Sequence, residues 1–524
     1  MSFYEKSSIV ITPNAYKAGT LYAVVPTSGA ADMDVTRATA ATRVDENGLV
    51  NYAEVIGGEE VTCGDFSCAV PTDYWTATNA IISFSNNEVT VDDTAGAGAD
   101  SRAAQNFPTT PGRSYRVKFN RVSTTSQFWL GIGNGSAYSD IFYSALGTTT
   151  GEYTVQFTAA GTSSTIALIT SAQGITVYSN VSVKQVDRDN VPRIDYTGGG
   201  CPHILSEPQR TNLLTQSNQF DTTWIQSGTL TSGQDGVGGS TDAWKFQNPN
   251  STSSLYQPDT TSGVQTLSAY FKKNSNYGVR FYAFGSVNCS AFFDLNNGAV
   301  VVEFNSTAKI ETVGDDWFRC SMTFDQTNTR CDFYVTNNAS TQVLGDYTIQ
   351  YAQLEQGSYA TSYIPTSGSA VTRNQDVFTR DGIGSLIGTE GVLFVEMAAL
   401  SNDLTNRSIS LNDGTSSNRL LLYFSSASNQ IAVVSTGFTG SINYAVSDET
   451  SFNKFAVRYK DNDVTLWVDG ASRGTPITSA TIPTFTALKF DSGAGASPFY
   501  GKVKQLQVYP TALSDAELTI LTTP

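Results

Sequence analysis

Histidine is nearly missing from this chain: 524 residues contain one, His203. A nucleophilic triad built on histidine has only that proline-flanked place to sit, and a multi-histidine metal site cannot form within one chain. Cysteine is thin as well. Cys63, Cys68, Cys201, Cys289, Cys320 and Cys331 are too dispersed for a disulfide framework, so the expectation is a chain stable without disulfides. Charged residues make up only 15 %, which leaves little for long solvated helices. No apolar run approaches a membrane span, and the start, Met1-Ser-Phe-Tyr-Glu-Lys-Ser-Ser8, lacks the basic-then-apolar pattern of a signal peptide. Lys and Arg number 31 against 47 Asp and Glu, and the net charge of −16 argues against nucleic acid or anionic membrane as partners.

Short alternating strands separated by turn chemistry are what the chain does contain. Ser8-Ile-Val-Ile-Thr12 and Thr20-Leu-Tyr-Ala-Val-Val25 are strand-like but too short to bury a core alone, so they need a neighbour, either a partner subunit or a larger particle. Glu46-Asn-Gly-Leu-Val50 predicts a hairpin with an Asn-Gly turn. Tyr115-Arg-Val-Lys-Phe119 and Tyr153-Thr-Val-Gln-Phe157 alternate with the period of half-buried strands. The plan then repeats. Asp73-Tyr-Trp75 parallels Phe220-Asp-Thr-Thr-Trp224, the Tyr115 strand parallels Leu267-Ser-Ala-Tyr-Phe271, and Tyr178–Lys184 parallels Tyr347–Glu355. Two copies of one sandwich follow from that spacing, with Trp75 and Trp224 in their cores. A connector echo accompanies them: Val25-Pro-Thr-Ser-Gly29 with Val35-Thr-Arg37 matches Ile364-Pro-Thr-Ser-Gly368 with Val371-Thr-Arg373.

The last quarter has a different pattern. Phe455–Tyr459 and Val464–Val468 predict a hairpin, and the apolar phase shift between Val503 and Leu506 predicts a β-bulge. Ser514 and Glu517 have capping-box spacing for one short helix. This combination resembles concanavalin A-like, laminin-G-type sandwiches. The expected fold class is all-β, with several jelly-roll β-sandwiches in tandem. The expected division is an extended N-terminal arm (1–60), a first jelly roll (61–187), an ordered connector (188–215), a second jelly roll (216–365), a connector (366–387) and a concanavalin A-like domain (388–524).

The connector Val191-Pro-Arg-Ile-Asp-Tyr-Thr-Gly-Gly-Gly-Cys-Pro202, followed by Glu207-Pro-Gln-Arg-Thr-Asn-Leu-Leu214, carries a second resemblance. It is similar to a connector that recurs in tail-fibre, head-fibre and adhesin-type proteins of bacteriophages, between jelly rolls that resemble carbohydrate-binding modules. The resemblance implies a virion structural protein, made in the host cytoplasm and attached to capsid or tail through residues 1–60. It also implies a homotrimer that binds host cell-surface polysaccharide; the acidic charge and the lack of an apolar span add the expectation of no nucleic acid and no membrane insertion.

Catalytic groups are not visible as motifs. The Glu-x-Asp-x-x-Glu strand of concanavalin A-like glucanases has no counterpart, since Glu396 stands alone in Gly391-Val-Leu-Phe-Val-Glu-Met397. Gly131-Ile-Gly-Asn-Gly135 opens no helix pattern and is not a phosphate loop. The expectation is therefore a binding protein and not an enzyme; the alternatives are a glycan depolymerase and a non-phage secreted adhesin. Sandwiches hold sugars with aromatic faces and amide or carboxylate side chains. The candidates are Trp129, Asn134, Tyr138, Asp140, Trp244 and Trp467, with Asn288 as a further loop polar, each weighed against a plainer role in core or loop. No cofactor is required. Such sandwiches use Asp and Asn loops for calcium, and Asp294, Asn296 and Asp413 are the candidate ligands against the plainer reading of solvated turns.

Overall fold

The structure is a computed structural model that describes residues 2–524 apart from 97–99, 136, 172, 275–277 and 338. It is all-β, with two short described helices, Phe3–Lys6 and Asp515–Thr522. Two compact units divide the chain: Glu54–Asp187, and Met1–Ala53 together with Arg188–Pro524.

Glu54–Asp187 is a sandwich of two antiparallel sheets. One runs Gly151–Thr158, Ser114–Thr124, Ile175–Asp187, Glu88–Asp92, Ile81–Ser85; the other runs Phe142–Ala145, Phe128–Asn134, Ser163–Thr170, Ser101–Pro108, Thr76–Thr78. Alternation sends Val117 and Phe119 from one sheet and Leu130, Ile132 and Leu168 from the other into a common core with Trp75. Cys63 and Cys68 form a disulfide. This corrects the expectation of a chain without one: the turn between them brings the two cysteines together, and Trp75 Nε1 donates to the Cys63 carbonyl at 3.0 Å.

The second unit contains the repeat and more. Its first sandwich, spanning Ile225 to Gln356, has the same strand order as Glu54–Asp187, with one extra edge strand on each sheet, Ala299–Phe304 and Thr307–Gly314. Trp224 occupies the place of Trp75, and both are buried. The C-terminal sandwich pairs an eight-stranded sheet with a nine-stranded one. The predicted bulge is present at Lys504, where Glu396 pairs with Gln505 and Met397 with Val503. The helix Asp515–Thr522 has its capping box, Ser514 accepting from Glu517 N.

The N-terminal segment is not a free arm. Ile9–Ile11 pairs with Gly501–Tyr509, and Met33–Thr36 pairs with Val377–Asp381, so the short strands find their neighbour in the C-terminal sandwich of their own chain. The connector around 193–206 joins the same edge. Arg193–Asp195 and His203–Ser206 form a hairpin that turns through Gly198–Gly200, all at positive φ, and His203–Ser206 pairs with the start of Gly501–Tyr509. Pro192, Pro202 and Pro208 lie just outside these two strands, where their missing N–H groups disturb no ladder.

What fastens these segments is a buried ionic cluster. Arg37 Nη1 donates to Asp376 Oδ1 at 2.6 Å, and Arg193 reaches both Asp376 Oδ2 and Glu207 Oε2, the latter at 2.5 Å. Arg373 Nη1 lies 2.8 Å from the same Glu207 oxygen, and Ser362 N donates to Glu207 Oε1 at 2.8 Å. The echoed Val-Thr-Arg motifs thus supply two of the three guanidiniums, and the connector hairpin supplies the third. Burial pushes the Glu207 and Asp376 carboxyls up, but the surrounding arginines outweigh it and hold both below their ordinary range.

Asp376→Ala leaves Arg37 and Arg193 buried without this partner, and should destabilise the unit by about 3–5 kcal/mol in chemical denaturation. An unchanged midpoint would contradict that role. His203 gives a pH prediction. It is buried, its Nε2 is 3.5 Å from Asp195 Oδ1, and its pKa is lowered from 6.5 to about 4, chiefly by burial. The unfolded chain therefore takes up the proton first, so this contribution is complete above pH 6.5 and is lost as pH falls towards about 4. The slope is at most about 1.4 kcal/mol per pH unit. Denaturation of His203→Gln against the unchanged protein, between pH 7 and pH 4, should show that slope removed.

Candidate glycan-binding surfaces

The outer face of the second sheet of Glu54–Asp187 is built from the residues that the core alternation leaves over. Register places Ala145, Trp129, Ile169, Arg102 and Thr78 in one row across it, and Tyr143, Gly131, Ala167, Ala104 and Thr76 in the next. The second row is small at its centre, which makes a trough. Ala137 and Tyr138 lie back over this trough, and Asn134 N donates to Asp140 Oδ1 at 2.8 Å. Gly131 and Gly133 are required for that approach. A Cβ on either would lie 2.3 Å from a loop carbonyl, of Tyr138 or Ala137. That is the role of the Gly131-Ile-Gly motif.

The loop lays the Tyr138 ring beside Arg102, whose guanidinium stands 3.8 Å from the ring centroid. Tyr138 Oη donates to Asp100 Oδ2 at 2.5 Å and Tyr143 Oη to Asp100 Oδ1 at 2.7 Å. Those two hydrogen bonds hold the Asp100 carboxyl below its ordinary range. Burial, then the same carboxylate, pushes the Tyr143 phenol up to about 12. Trp129 stacks on Tyr143 with centroids 4.9 Å apart, and Tyr143 is 42 % exposed. The result is an aromatic platform whose geometry is set before any ligand arrives.

Four candidates from the sequence, Trp129, Asn134, Tyr138 and Asp140, therefore meet on one sheet face and its loop. Asn134 and Asp140 act there as loop-shaping groups, and the Asn134 side chain lies against Gly161. Asp100, Arg102 and Tyr143 were missed. Their signal was available only through register: Asp100 and Arg102 lie 27 to 38 residues before Trp129 and Tyr138, and Tyr143, though near in sequence, sits on the neighbouring strand in a stretch that has no motif.

Trp244 and Trp467 are corrections. Trp467 is only 6 % exposed, because its face of the sheet is covered by the helix Asp515–Thr522 and packs with Leu513 and Leu518. Trp244 is buried in the core of the second sandwich, its ring 6.4 Å from that of Phe220. Its edge lines an open cleft of about 710 Å³, together with Asn218, Asp221, Asp242 and Tyr351. Asp242 Oδ2 accepts from Asn218 Nδ2 at 2.9 Å, and Asp221 Oδ1 from Gln219 Nε2 at 2.6 Å.

The calcium candidates are capped turns. Asp294 accepts from Asn296 N at 2.8 Å and from Asn297 Nδ2 at 2.7 Å; Asp413 accepts from Thr415 N at 2.9 Å and Asn418 Nδ2 at 2.7 Å. Each is a single carboxylate committed to its own turn, whereas calcium takes six to eight oxygens. Among the described residues no three His, Cys, Asp or Glu side chains come together as metal ligands. Glu396 is engaged by Gln505 Nε2 at 3.1 Å and faces Lys504 at 3.7 Å.

Residues 394–519 match the model of the concanavalin A-like lectin/glucanases superfamily. The C-terminal sandwich is of that kind. The match covers about a quarter of the chain and leaves the two repeated sandwiches outside it. No curated protein matches the chain. Among solved structures, it is similar to the carbohydrate-binding module of the Ruminococcus gnavus IT-sialidase bound to α2,3-sialyllactose, at 19% identity over 26% of this chain and 84% of that one, with a TM-score of 0.23. It is also similar to the mouse laminin α1 domains LG4-5, at 11% identity over 58% and 94%, TM-score 0.19. A Trypanosoma rangeli sialidase aligns at 9% identity over 99% and 94%, TM-score 0.23. At these scores the likenesses carry no weight for ligand or activity.

Proposed function

We propose that this chain is a non-catalytic structural protein of a bacteriophage particle, a fibre or decoration protein that displays β-sandwiches for adhesion to host-surface glycan. The observation that carries the binding half is the platform of Trp129, Tyr138 and Tyr143 braced by Asp100. Aromatic rings offer apolar faces to pyranose C–H surfaces, and rings fixed in advance lose little entropy when a sugar docks. The virion half is supported by the resemblance of the 191–214 connector to that of phage fibres. Attachment through residues 1–60 has to use their outer surface, because their strands are already paired within the chain. A homotrimer rests on the same resemblance and no longer on unpaired strands.

The test is binding of the full chain to isolated host-surface polysaccharide and to a glycan panel, beside Trp129→Ala and Tyr143→Ala. Each substitution should weaken binding by about tenfold, the loss of a buried aromatic contact. Undiminished binding in both would overturn the platform. Release of reducing ends by the unmodified protein would decide for a depolymerase instead, with Asp221 and Asp242 as the carboxylates facing a cleft.

A further inference from the structure

A second cavity, of about 380 Å³, opens where the second sandwich, the connector hairpin and the C-terminal sandwich meet within one unit. Its size falls in the about 300–1,000 Å³ range of small-molecule sites. Its chemistry differs from the aromatic platform. Four cations line it, Arg43, Lys309, Arg319 and Lys502, in a protein whose net charge is −16. Three carboxylates also line it, and all three are committed. Glu207 belongs to the arginine cluster, Asp195 accepts from Val44 N and Thr197 N, and Glu311 pairs with Lys309 at 2.7 Å.

The cations are less fully used. Lys502 forms no ion pair among the described residues. Arg43 Nη1 donates to the Ile194 carbonyl and has only a loose pair, at 3.9 Å, with the exposed Glu46, and Arg319 Nη2 donates to the Thr361 carbonyl; Nε of each arginine is buried with no hydrogen-bond partner among the described residues. Two groups register the resulting positive field. Burial pushes the Glu311 carboxyl up, yet Lys309, Arg319 and Lys502 hold it below its ordinary range. Burial lowers the His203 pKa and the neighbouring Asp195 carboxylate raises it, while Lys502, Lys504 and Arg193 press it down. Hydroxyls complete the wall, with Thr307 and Ser321 on one side and Ser401 and Thr450 on the other.

We propose that this cavity binds a sugar carrying a carboxylate, the anion meeting Lys502 and Arg43 and the ring hydroxyls meeting the Ser and Thr side chains. The inference rests on the glycan-binding reading and adds to it a separate subsite for acidic residues of the glycan. Neutral sugars leave Lys502 unpaired, so the site discriminates by charge.

The experiment is saturation-transfer NMR on the full chain with D-glucuronate and N-acetylneuraminate as probes, and with D-glucose and inorganic phosphate as controls. At least one acidic sugar should show transfer. That transfer should weaken at least about tenfold in Lys502→Gln, which removes a charge-assisted contact, and disappear in Ser401→Trp, which fills the cavity from an irregular loop segment. It should persist in Trp129→Ala. No transfer from either acidic sugar, transfer indifferent to both cavity substitutions, or displacement by equimolar phosphate would each overturn the proposal. A chain that binds host polysaccharide through Trp129 but shows none of these effects would lose this subsite and keep its proposed function.

Discussion

Three arginines and two carboxylates, each no more than 3% exposed, impose the strictest constraint on this molecule. An unpaired buried charge costs several kcal/mol, so Arg37, Arg193, Arg373, Glu207 and Asp376 must arrive together or not at all. They come from segments separated by more than three hundred residues. Pairing them draws the N-terminal segment, the connector hairpin, the exit of the second sandwich and the entry to the third into one place. The strand additions at Gly501–Tyr509 then follow: Ile9–Ile11 and His203–Ser206 lie end to end along an edge that would otherwise be open.

This arrangement bears on binding. The walls of the cationic cavity come from the second and third sandwiches and from the hairpin of Thr42–Val44 and Val50–Tyr52, so its shape depends on the charge cluster beside it. The aromatic platform of Glu54–Asp187 relies on a different device, a carboxylate accepting from two phenols across a trough of small residues. Both surfaces are organised without a ligand, as rigid scaffolds for recognition require.

The local patterns read well from the sequence because they are fixed by neighbours. Alternation gave the strands, Trp75 and Trp224 marked the repeat, Ser514 and Glu517 marked a helix start, and the phase shift before Leu506 marked a bulge. Partnerships across long distances were not legible. Ile9–Ile11 looked unpartnered because its mate lies some five hundred residues away. Trp467 sits on the opposite strand face from Leu466, which suggested solvent, but the cover comes from a helix near the end of the chain. Asp100 and Tyr143 belong to a site that only strand register assembles, and the Val-Thr-Arg echo showed repetition without showing that its arginines face the same carboxylates.

The most direct measurement is native-state hydrogen exchange on the backbone of Ile9–Ile11 and Gly501–Tyr509. If the buried charges lock the N-terminal segment into the C-terminal sandwich, both strands exchange only through the same large opening, with matching protection. Rapid exchange at Ile9–Ile11 beside a protected Gly501–Tyr509 would show a detachable arm and contradict the account.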